Sequence, residues 1–273
     1  MSIGSNTKTS AATDSARARL ASELGLIAAD WPDRPEKIRA YVSTRNMGCS
    51  EAPYGGWHGQ LGLNLGAHVG DVLSDVQANR AKLNGVLPQP VIFPTQCHGI
   101  LCVSTLGLEE KTQADAVWTN QPATVCGVLT ADCLPLLICS LDGQYMAAVH
   151  AGWRGLAAGV VASAVQALRT AGAGELTVWL GPAISQAAFE VGDDVFHAFT
   201  DNIPGTQACF RYESSRQKYF ADIFGLARVM LAQLDVQRVY GGDFCTYNDP
   251  ENFYSFRREH STGRMASLIW REA

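Results

Sequence analysis

Three short apolar runs, each followed by a residue able to carry chemistry, constrain the fold of this 273-residue chain most strongly. The runs are residues 91–93, 125–130 and 145–149. The reactive residues that follow them are His98, Cys133 and His150. Short apolar runs bounded by Gly or Pro are typical of buried strands. Side chains at the ends of such strands are held on a rigid sheet, where catalytic and binding groups are commonly placed.

Further elements are predicted around these runs. Additional strands are expected at residues 38–42, 176–180, 253–258 and 266–270. Helices are expected at 155–171, which has one apolar face, and after the capping residues Ser74 and Asp222. The first of these has a capping-box pattern from Ser74 to Gln77 and a stop at Asn84–Gly85. A short helix is expected to begin at Asp193–Asp194, whose charge favours a helix N-terminus.

This mixed order of strands and helices predicts an α/β (α+β) fold. The expected form is a single-domain layered sandwich in which mixed β-sheets are flanked by helices. Residues 1–30 are predicted to be a flexible N-terminal tail, because they are rich in Ser, Thr and Ala. Residues 31–273 are predicted to form the folded domain.

Charge and cysteine usage exclude several classes of protein. The net charge is -5 and no run of Lys or Arg occurs, so a nucleic-acid partner is not expected. No apolar stretch is long enough for a transmembrane helix, and the first twenty residues lack the apolar core of a secretory signal. The eight cysteines include no CxxC pair, which favours free thiols in a reducing, cytoplasmic setting. Cys126 and Cys139 lie in apolar runs and are predicted to be buried.

Two interpretations of His98, Cys133 and His150 remain open from spacing alone. Imidazole and thiolate are good zinc ligands, and three protein ligands with one open position form the catalytic type of zinc site. The separations of 34 and 16 intervening residues are unlike the short hooks of structural zinc sites. The other interpretation is a buried thiol and two histidines that satisfy hydrogen bonds in a core.

The segment from His150 to Gly155 predicts an anion pocket beside this group. Its glycines permit close approach to a ligand, and Arg154 lies near a predicted helix N-terminus, which attracts anions. The alternative is a structural turn with a solvated Arg154.

Asp132 either orients a ligand histidine or forms a structural salt bridge. Arg257, Arg258 and Arg264 cluster near the C-terminus, where at most one of the adjacent pair can face a single site, and surface charge is the alternative.

Several motifs occur together in one order along the chain. They are residues 44–45, 64–66, 68–71, 96–99, 131–133, 150–155, 189–192, 254–258 and 262–264. On these motifs the chain resembles the YfiH-like family over residues 31–270. Its members are called laccase-domain or multicopper polyphenol oxidases, peptidoglycan-editing factors and zinc-dependent purine nucleoside phosphorylases.

The resemblance implies a fold similar to the catalytic domain of cytotoxic necrotizing factor toxins. It implies a catalytic metal triad of His98, Cys133 and His150, with zinc favoured over copper. The implied activities are phosphorolysis of adenosine, inosine, guanosine and S-methyl-5'-thioadenosine, and deamination of adenosine. The partners would be purine nucleosides and phosphate, with the protein a monomer or homodimer. The matching motifs imply pocket roles for four further residues, which are Arg45, Asn64, His68 and Arg154. Arg45 or Arg154 is the natural phosphate ligand.

Two other enzymatic hypotheses and one non-enzymatic hypothesis remain. In a cysteine hydrolase or peptidoglycan-precursor editing factor, Cys133 would be the nucleophile and His150 the base. A copper-dependent polyphenol oxidase would need more His and Cys ligands than six histidines supply with clear context. A binding protein would keep the pocket without turnover.

Overall fold

The computed structural model describes residue 19 and residues 21–273, so most of the predicted tail lies outside the described residues. Its strands β1 to β13 are Ile27–Ala28, Ile38–Val42, Cys102–Ser104, Ala116–Thr119, Cys126–Thr130, Leu134–Ser140, Met146–Ala151, Leu176–Leu180, Glu190–Val191, Phe210–Glu213, Lys218–Ala221, Arg238–Gly241 and Met265–Arg271. The helices α1 to α6 are Leu73–Asn84, Trp153–Ala158, Val160–Thr170, Asp193–Thr200, Ile223–Gln233 and Phe256–Glu259. Thr206–Cys209 forms a 3₁₀ turn.

Two large sheets pack face to face and form the centre of the molecule. One has six strands in the order β12-β8-β6-β7-β4-β3, and the other has four in the order β1-β2-β13-β5. The six-stranded sheet is mixed, since β3 pairs parallel with β4 and β8 with β12 while its other pairs are antiparallel. A three-stranded antiparallel sheet, β10-β11-β9, lies apart from them. The predicted layered fold with mixed sheets is therefore confirmed.

Strand β6 shows how the layers are held together. Leu136 and Ile138 pack toward helices α2, α3 and α5 in one core. Leu137 and Cys139 face the four-stranded sheet in a second core. All seven residues of β6 are buried, which fits its apolar sequence from Leu134 to Cys139. A third core lies between the outer face of the four-stranded sheet and α1, so the layers run helix, sheet, sheet, helix.

Three predicted elements differ from the structure. The helix expected at 155–171 is two helices, α2 and α3, because Gly159 between them has a left-handed backbone with φ of 105°. Residues 91–93 are not in a strand, and only Thr95 forms a bridge nearby. Within 253–258 the chain forms helix α6, because the Ser255 side chain accepts a hydrogen bond from the backbone N–H of Arg258 and caps the helix.

Helix capping was predicted correctly at one site and wrongly at another. Asp222 caps α5 by accepting a hydrogen bond from the backbone N–H of Gly225 at 3.0 Å. Helix α1 begins after Val72 with no side-chain cap, so the capping box expected at Ser74 and Gln77 is absent. None of the helices in the described part of the chain is long and apolar enough to cross a membrane.

Residues before position 31 contribute to the folded structure. Ala21 and Leu26 are buried in the core beneath α1, and Ala29 is buried against the second core. Strand β1 pairs antiparallel with β2 through Ile27 and Ala28. Residues 21–29, which fall within the predicted tail, are therefore part of the packed structure.

Candidate metal centre

The three side chains predicted as metal ligands reach one point from separate segments. His98 lies in the loop before β3, Cys133 in the turn between β5 and β6, and His150 near the end of β7. Their ligand atoms all lie within 4.8 Å of one another, and Cys133 Sγ is 3.6 Å from His98 Nε2. The imidazole rings of His98 and His150 meet edge to face, with centroids 4.8 Å apart.

This donor set fits a zinc ion. One thiolate and two imidazoles are ordinary zinc ligands, and three protein ligands leave the open position found in catalytic sites. Zinc–sulfur and zinc–nitrogen bonds in a tetrahedral site separate the two donor atoms by about 3.6 Å. Cys133 Sγ and His98 Nε2 already stand at that separation. The same donors also accept copper, so the ligand types alone do not select the metal.

Gly152 keeps the space between these ligands open. A Cβ atom at this position would lie 2.5 Å from His98 Cδ2 and 3.1 Å from both Cys133 Sγ and His98 Nε2. These distances are shorter than van der Waals contact, so a larger residue would displace the imidazole or the thiol. The glycine two residues after His150 therefore serves the close approach that its motif predicted.

Asp115, which was absent from the predicted site, orients the third ligand. Its side chain is fully buried, and Oδ1 lies 2.8 Å from Nδ1 of His150. Since Nδ1 faces this carboxylate, Nε2 of the ring is left to face Cys133. A carboxylate behind a ligand histidine is the usual arrangement at protein metal sites.

The same carboxylate shapes the loop that carries His98. The backbone N–H of His98 donates to Asp115 Oδ1 at 2.9 Å, and the N–H groups of Cys97 and Gly99 donate to Oδ2 at 3.2 and 2.8 Å. These bonds hold His98 at φ of 59°, a conformation that non-glycine residues rarely adopt. Asp115 therefore connects two of the three candidate ligands.

The charges of the site support one another. Burial raises the pKa of the Cys133 thiol, but the neighbouring His150 and His98 outweigh burial and lower it to about 6. Burial lowers the pKa of His150, whereas Cys133 and Asp115 together raise it to about 9. Hydrogen bonds from His150 and the loop overcome the burial of Asp115 and lower its pKa to about 2. The thiolate required for metal binding or nucleophilic attack is thus available at neutral pH.

Asp132 faces away from this centre although it precedes Cys133. Its backbone has φ of 92°, so the strand ends there and the two side chains are free to diverge. Oδ1 accepts a hydrogen bond from the Thr246 hydroxyl at 2.6 Å, and Oδ2 accepts one from the backbone N–H of Arg257 at 2.7 Å. Asp132 thus fixes the loops around the cleft, and no ligand histidine or guanidinium bonds to it among the described residues.

The triad opens into a cleft of about 250 Å³. Beyond the triad, its wall contains His68, Gln96, Phe256 and Arg264. A second cavity of about 380 Å³ shares His68, Gln96 and Leu129 with the first, so the two adjoin. A larger surface groove of about 770 Å³ runs along α3, and none of the described residues that line it has a titratable side chain.

Arg45, predicted to bind phosphate, is buried outside the cleft. Its guanidinium donates to the backbone carbonyls of Gly55 and Pro250 and to Glu259 Oε1 at 2.7 Å. It also packs over the Tyr254 ring at 4.7 Å. These contacts join three loops, and they fit a structural role in place of the predicted one.

Of the other predicted pocket residues, only His68 lines the cleft. Asn64 is buried and organises a turn, since its Oδ1 accepts hydrogen bonds from the backbone N–H groups of Gly66 and Arg264, both at 2.9 Å. Arg154 is exposed, and its guanidinium lies over the Trp153 ring at 4.3 Å. Arg264, for which the sequence left both a site role and surface charge open, lies in the cleft wall.

Comparison with known proteins places this geometry in a family. Residues 39–272 match the family model described as multi-copper polyphenol oxidoreductase laccase. A purine nucleoside phosphorylase of Pseudomonas aeruginosa is 44% identical over 241 residues, which cover 88% of this chain and 96% of that protein. Purine nucleoside phosphorylase YfiH of Escherichia coli is 44% identical over 248 residues, covering 90% and 98%.

Solved structures agree with these matches. The protein NMB0706 of Neisseria meningitidis superposes with a TM-score of 0.84 at 39% identity, covering 91% of this chain and 99% of that one. YlmD from Geobacillus stearothermophilus superposes with a TM-score of 0.78 at 26% identity, covering 89% and 94%. The chain belongs to the YfiH-like family, whose family model is described as multi-copper polyphenol oxidoreductase laccase.

Proposed function

We propose that this protein is a zinc-dependent purine nucleoside phosphorylase. The observation that carries the proposal is the convergence of His98, Cys133 and His150 on one cleft, in a chain 44% identical to proteins named purine nucleoside phosphorylase. The proposed substrates are adenosine, inosine, guanosine and S-methyl-5'-thioadenosine with phosphate. Adenosine deaminase activity at the same centre is part of the proposal.

Phosphorolysis sets clear requirements for the cleft. A phosphate oxygen bonds to C1' of the ribose while the bond from C1' to the purine nitrogen breaks, and the base leaves with the electron pair. The site must therefore hold an anion near an electron-poor sugar and stabilise charge on the departing base. When bound, zinc would supply a Lewis acid at the open position of the triad.

The chain's own residues meet parts of these requirements. Phe256 is 52% exposed and lines the cleft, so its ring offers an apolar surface to a purine. His68 and Arg264 offer polar donors on the same wall. Asp115 keeps the Nδ1 side of His150 occupied, so the ring cannot turn its other nitrogen away from Cys133 without losing a buried hydrogen bond.

The test is a nucleoside panel with and without phosphate. Wild-type protein is expected to release hypoxanthine from inosine only when phosphate is present, with ribose 1-phosphate as the second product. Cys133→Ala should lose this activity, whereas Cys49→Ala, which removes a thiol outside the cleft, should keep it. Wild-type inosine phosphorolysis by Cys133→Ala would show that the assignment is wrong.

A cysteine hydrolase is the second candidate, and one arrangement favours it. Cys133, His150 and Asp115 stand in the order of a nucleophile, a base and an orienting carboxylate, and the pKa of the thiol is lowered to about 6. Zinc and nucleophilic attack require the same thiolate. Alkylation of Cys133 in protein carrying a full equivalent of zinc would favour the hydrolase over the phosphorylase.

Copper-based phenol oxidation rests on the description of the family model. Within residues 19 and 21–273, the one group of three or more His, Cys, Asp or Glu side chains suited to a metal is the His98–Cys133–His150 triad. A multicopper oxidase requires ligands for several coppers. Metal analysis of protein produced without added copper separates the phosphorylase from the phenol oxidase, since stoichiometric copper would favour the oxidase.

A further inference from the structure

The two adjoining cavities carry an excess of positive charge in a protein whose net charge is -5. Among the described residues no Asp or Glu side chain lines the cleft itself, and the Cys133 thiolate there stands beside His150. In the adjoining cavity the acidic side chain is Glu110, and it is paired with Arg80 at 2.6 Å. A small anion would therefore meet no unpaired carboxylate among the lining residues.

Arg264 has donors left for such an anion. Its Nη1 donates to the backbone carbonyls of Thr262 and Gly263, at 3.0 and 2.9 Å. Among the described residues, neither Nε nor Nη2 of Arg264 has a hydrogen-bond partner. Arg264 lines the cleft, and its Nε and Nη2 form the edge of the planar guanidinium that binds phosphate oxygens in pairs.

His68 lies on the same wall and belongs to both cavities. Partial burial, followed by the charges of Arg264, Arg80 and His150, lowers its pKa. His68 makes no hydrogen bond with the described residues, so both ring nitrogens can still bond to a ligand. An anion placed between His68 and Arg264 would receive donors from both.

The sequence motif at residues 64–66 holds Arg264 in position. Asn64 Oδ1 accepts the backbone N–H of Arg264 at 2.9 Å, and Asn64 Nδ2 donates to Asp71 at 2.8 Å. The aliphatic stem of Arg264 crosses Gly66, where a Cβ atom would lie 2.7 Å from Arg264 Cγ and 3.1 Å from its Cβ. Gly66 thus provides the space through which the guanidinium reaches the cleft.

We propose that Arg264 and His68 form an oxyanion subsite, between the metal centre and the adjoining cavity, that holds the phosphate co-substrate. The inference rests on the proposed phosphorylase function and assigns its phosphate to these residues in place of Arg45 and Arg154. Asn64 and Gly66 are positioning residues, because they act on the ligand only through Arg264.

The experiment measures the binding of phosphate and its use as a substrate, both with the full-length, zinc-loaded protein. Calorimetric titration with inorganic phosphate gives the binding constant, and initial rates at saturating inosine give the KM for phosphate. Arg264→Gln is expected to raise both the dissociation constant and the KM for phosphate by about 10-fold or more, since two charge-assisted hydrogen bonds are lost. The KM for inosine should change less than about twofold, and Arg264→Lys should recover part of the loss because it keeps the charge.

Further variants separate position from charge. Gly66→Ala should raise the KM for phosphate as well, because the new methyl group displaces the stem of Arg264. Arg216→Gln, on an exposed surface arginine, should leave both phosphate constants unchanged. An unchanged phosphate KM in Arg264→Gln, or a raised one in Arg154→Gln, would overturn the subsite. Thermal melting of each variant shows that it is folded.

Failure of the subsite and failure of the proposed function give different results. If the wild type phosphorolyses inosine but Arg264→Gln keeps its phosphate constants, the function stands and the subsite is wrong. If the wild type phosphorolyses no nucleoside, the function is wrong, and the calorimetric titration alone decides the subsite.

Titration with adenosine 5'-monophosphate distinguishes a site for free phosphate from one for a phosphorylated nucleoside. Tighter binding of the nucleotide than of inorganic phosphate, lost in Arg264→Gln, would contradict the co-substrate role.

Discussion

Asp115 Oδ1 and His150 Nδ1 stand 2.8 Å apart, and both side chains are almost completely buried. The aspartate is fixed in turn by three backbone N–H groups of the loop at 97–99. One carboxylate therefore determines both which nitrogen of His150 faces Cys133 and where His98 enters the centre. The arrangement of the whole triad depends on a residue that lies behind it.

Asp115→Asn is expected to weaken zinc binding about 10- to 100-fold, the usual cost of losing a carboxylate behind a ligand histidine. An amide keeps the shape but cannot accept hydrogen bonds at both of its polar atoms, so the bonds to His150 and the loop compete. Competition with a chromogenic chelator measures the affinity. Asp201→Asn removes a comparable but exposed bond to His197 and should bind zinc as the wild type does.

Gly152→Ala should abolish stoichiometric metal binding and inosine phosphorolysis while the protein stays folded. The added methyl group would occupy space 2.5 Å from His98 Cδ2, inside the triad. Gly174→Ala is the matched control, because a Cβ atom at Gly174 meets nothing within 4 Å. Mass spectrometry measures the metal content of both variants. A full equivalent of zinc in Gly152→Ala would show that the space at Gly152 is not needed for metal binding.

Metal-free protein should be alkylated by iodoacetamide at Cys133 before its other thiols. The pKa of Cys133 is lowered to about 6, so the rate should rise with pH up to about 6 and then level. Burial raises the pKa of Cys102 to about 12 and that of Cys126 well above its usual value, so those thiols should react slowly. Peptide mapping identifies the modified residue. Zinc should protect Cys133 because it occupies the same thiolate.

Glu259→Gln should destabilise the protein at neutral pH by about 1.5–3 kcal/mol, the range for hydrogen bonds to charged groups. Burial raises the pKa of Glu259, but bonds from Thr262, Arg258 and Arg45 outweigh burial and lower it. A lowered carboxyl pKa stabilises the fold above the unfolded pKa of about 4.3, and that contribution is lost as pH falls.

Urea unfolding from pH 7 to pH 3 measures this effect. The stability difference between wild type and Glu259→Gln should shrink as the pH falls below about 4.3. A difference that stays constant over this range would show that the Arg45–Glu259 pair at 2.7 Å does not carry the stabilisation.

Strand-level features of the fold follow from the sequence because local pattern determines them. The strand at 126–130 and the burial of Cys126 and Cys139 both follow from apolar runs in the sequence, whereas strand β6 was not predicted as a separate element. The break at Gly159 could not be separated from an ordinary helix, because apolar residues continue on the same face beyond it. Helix α6 was predicted as a strand, since its single turn is too short to show helical periodicity.

The candidate site was predictable where residues have distinctive chemistry and not where their role is positional. His98, Cys133 and His150 stand out by residue type, and the sheets bring them together as expected. Asp115 lies between two alanines without any motif, so its burial behind His150 becomes visible only in three dimensions. Arg264 belongs to a motif, but its place in the cleft wall depends on Asn64 and Gly66, some two hundred residues away along the chain.

The most direct test of the account is inosine phosphorolysis before and after metal removal. Protein stripped with a chelator to below about 0.05 equivalents of metal should lose at least about 95% of the phosphate-dependent release of hypoxanthine. One equivalent of zinc should restore it in the wild type and not in Cys133→Ala. Full phosphorolysis by the stripped wild-type protein would contradict a metal centre at His98, Cys133 and His150.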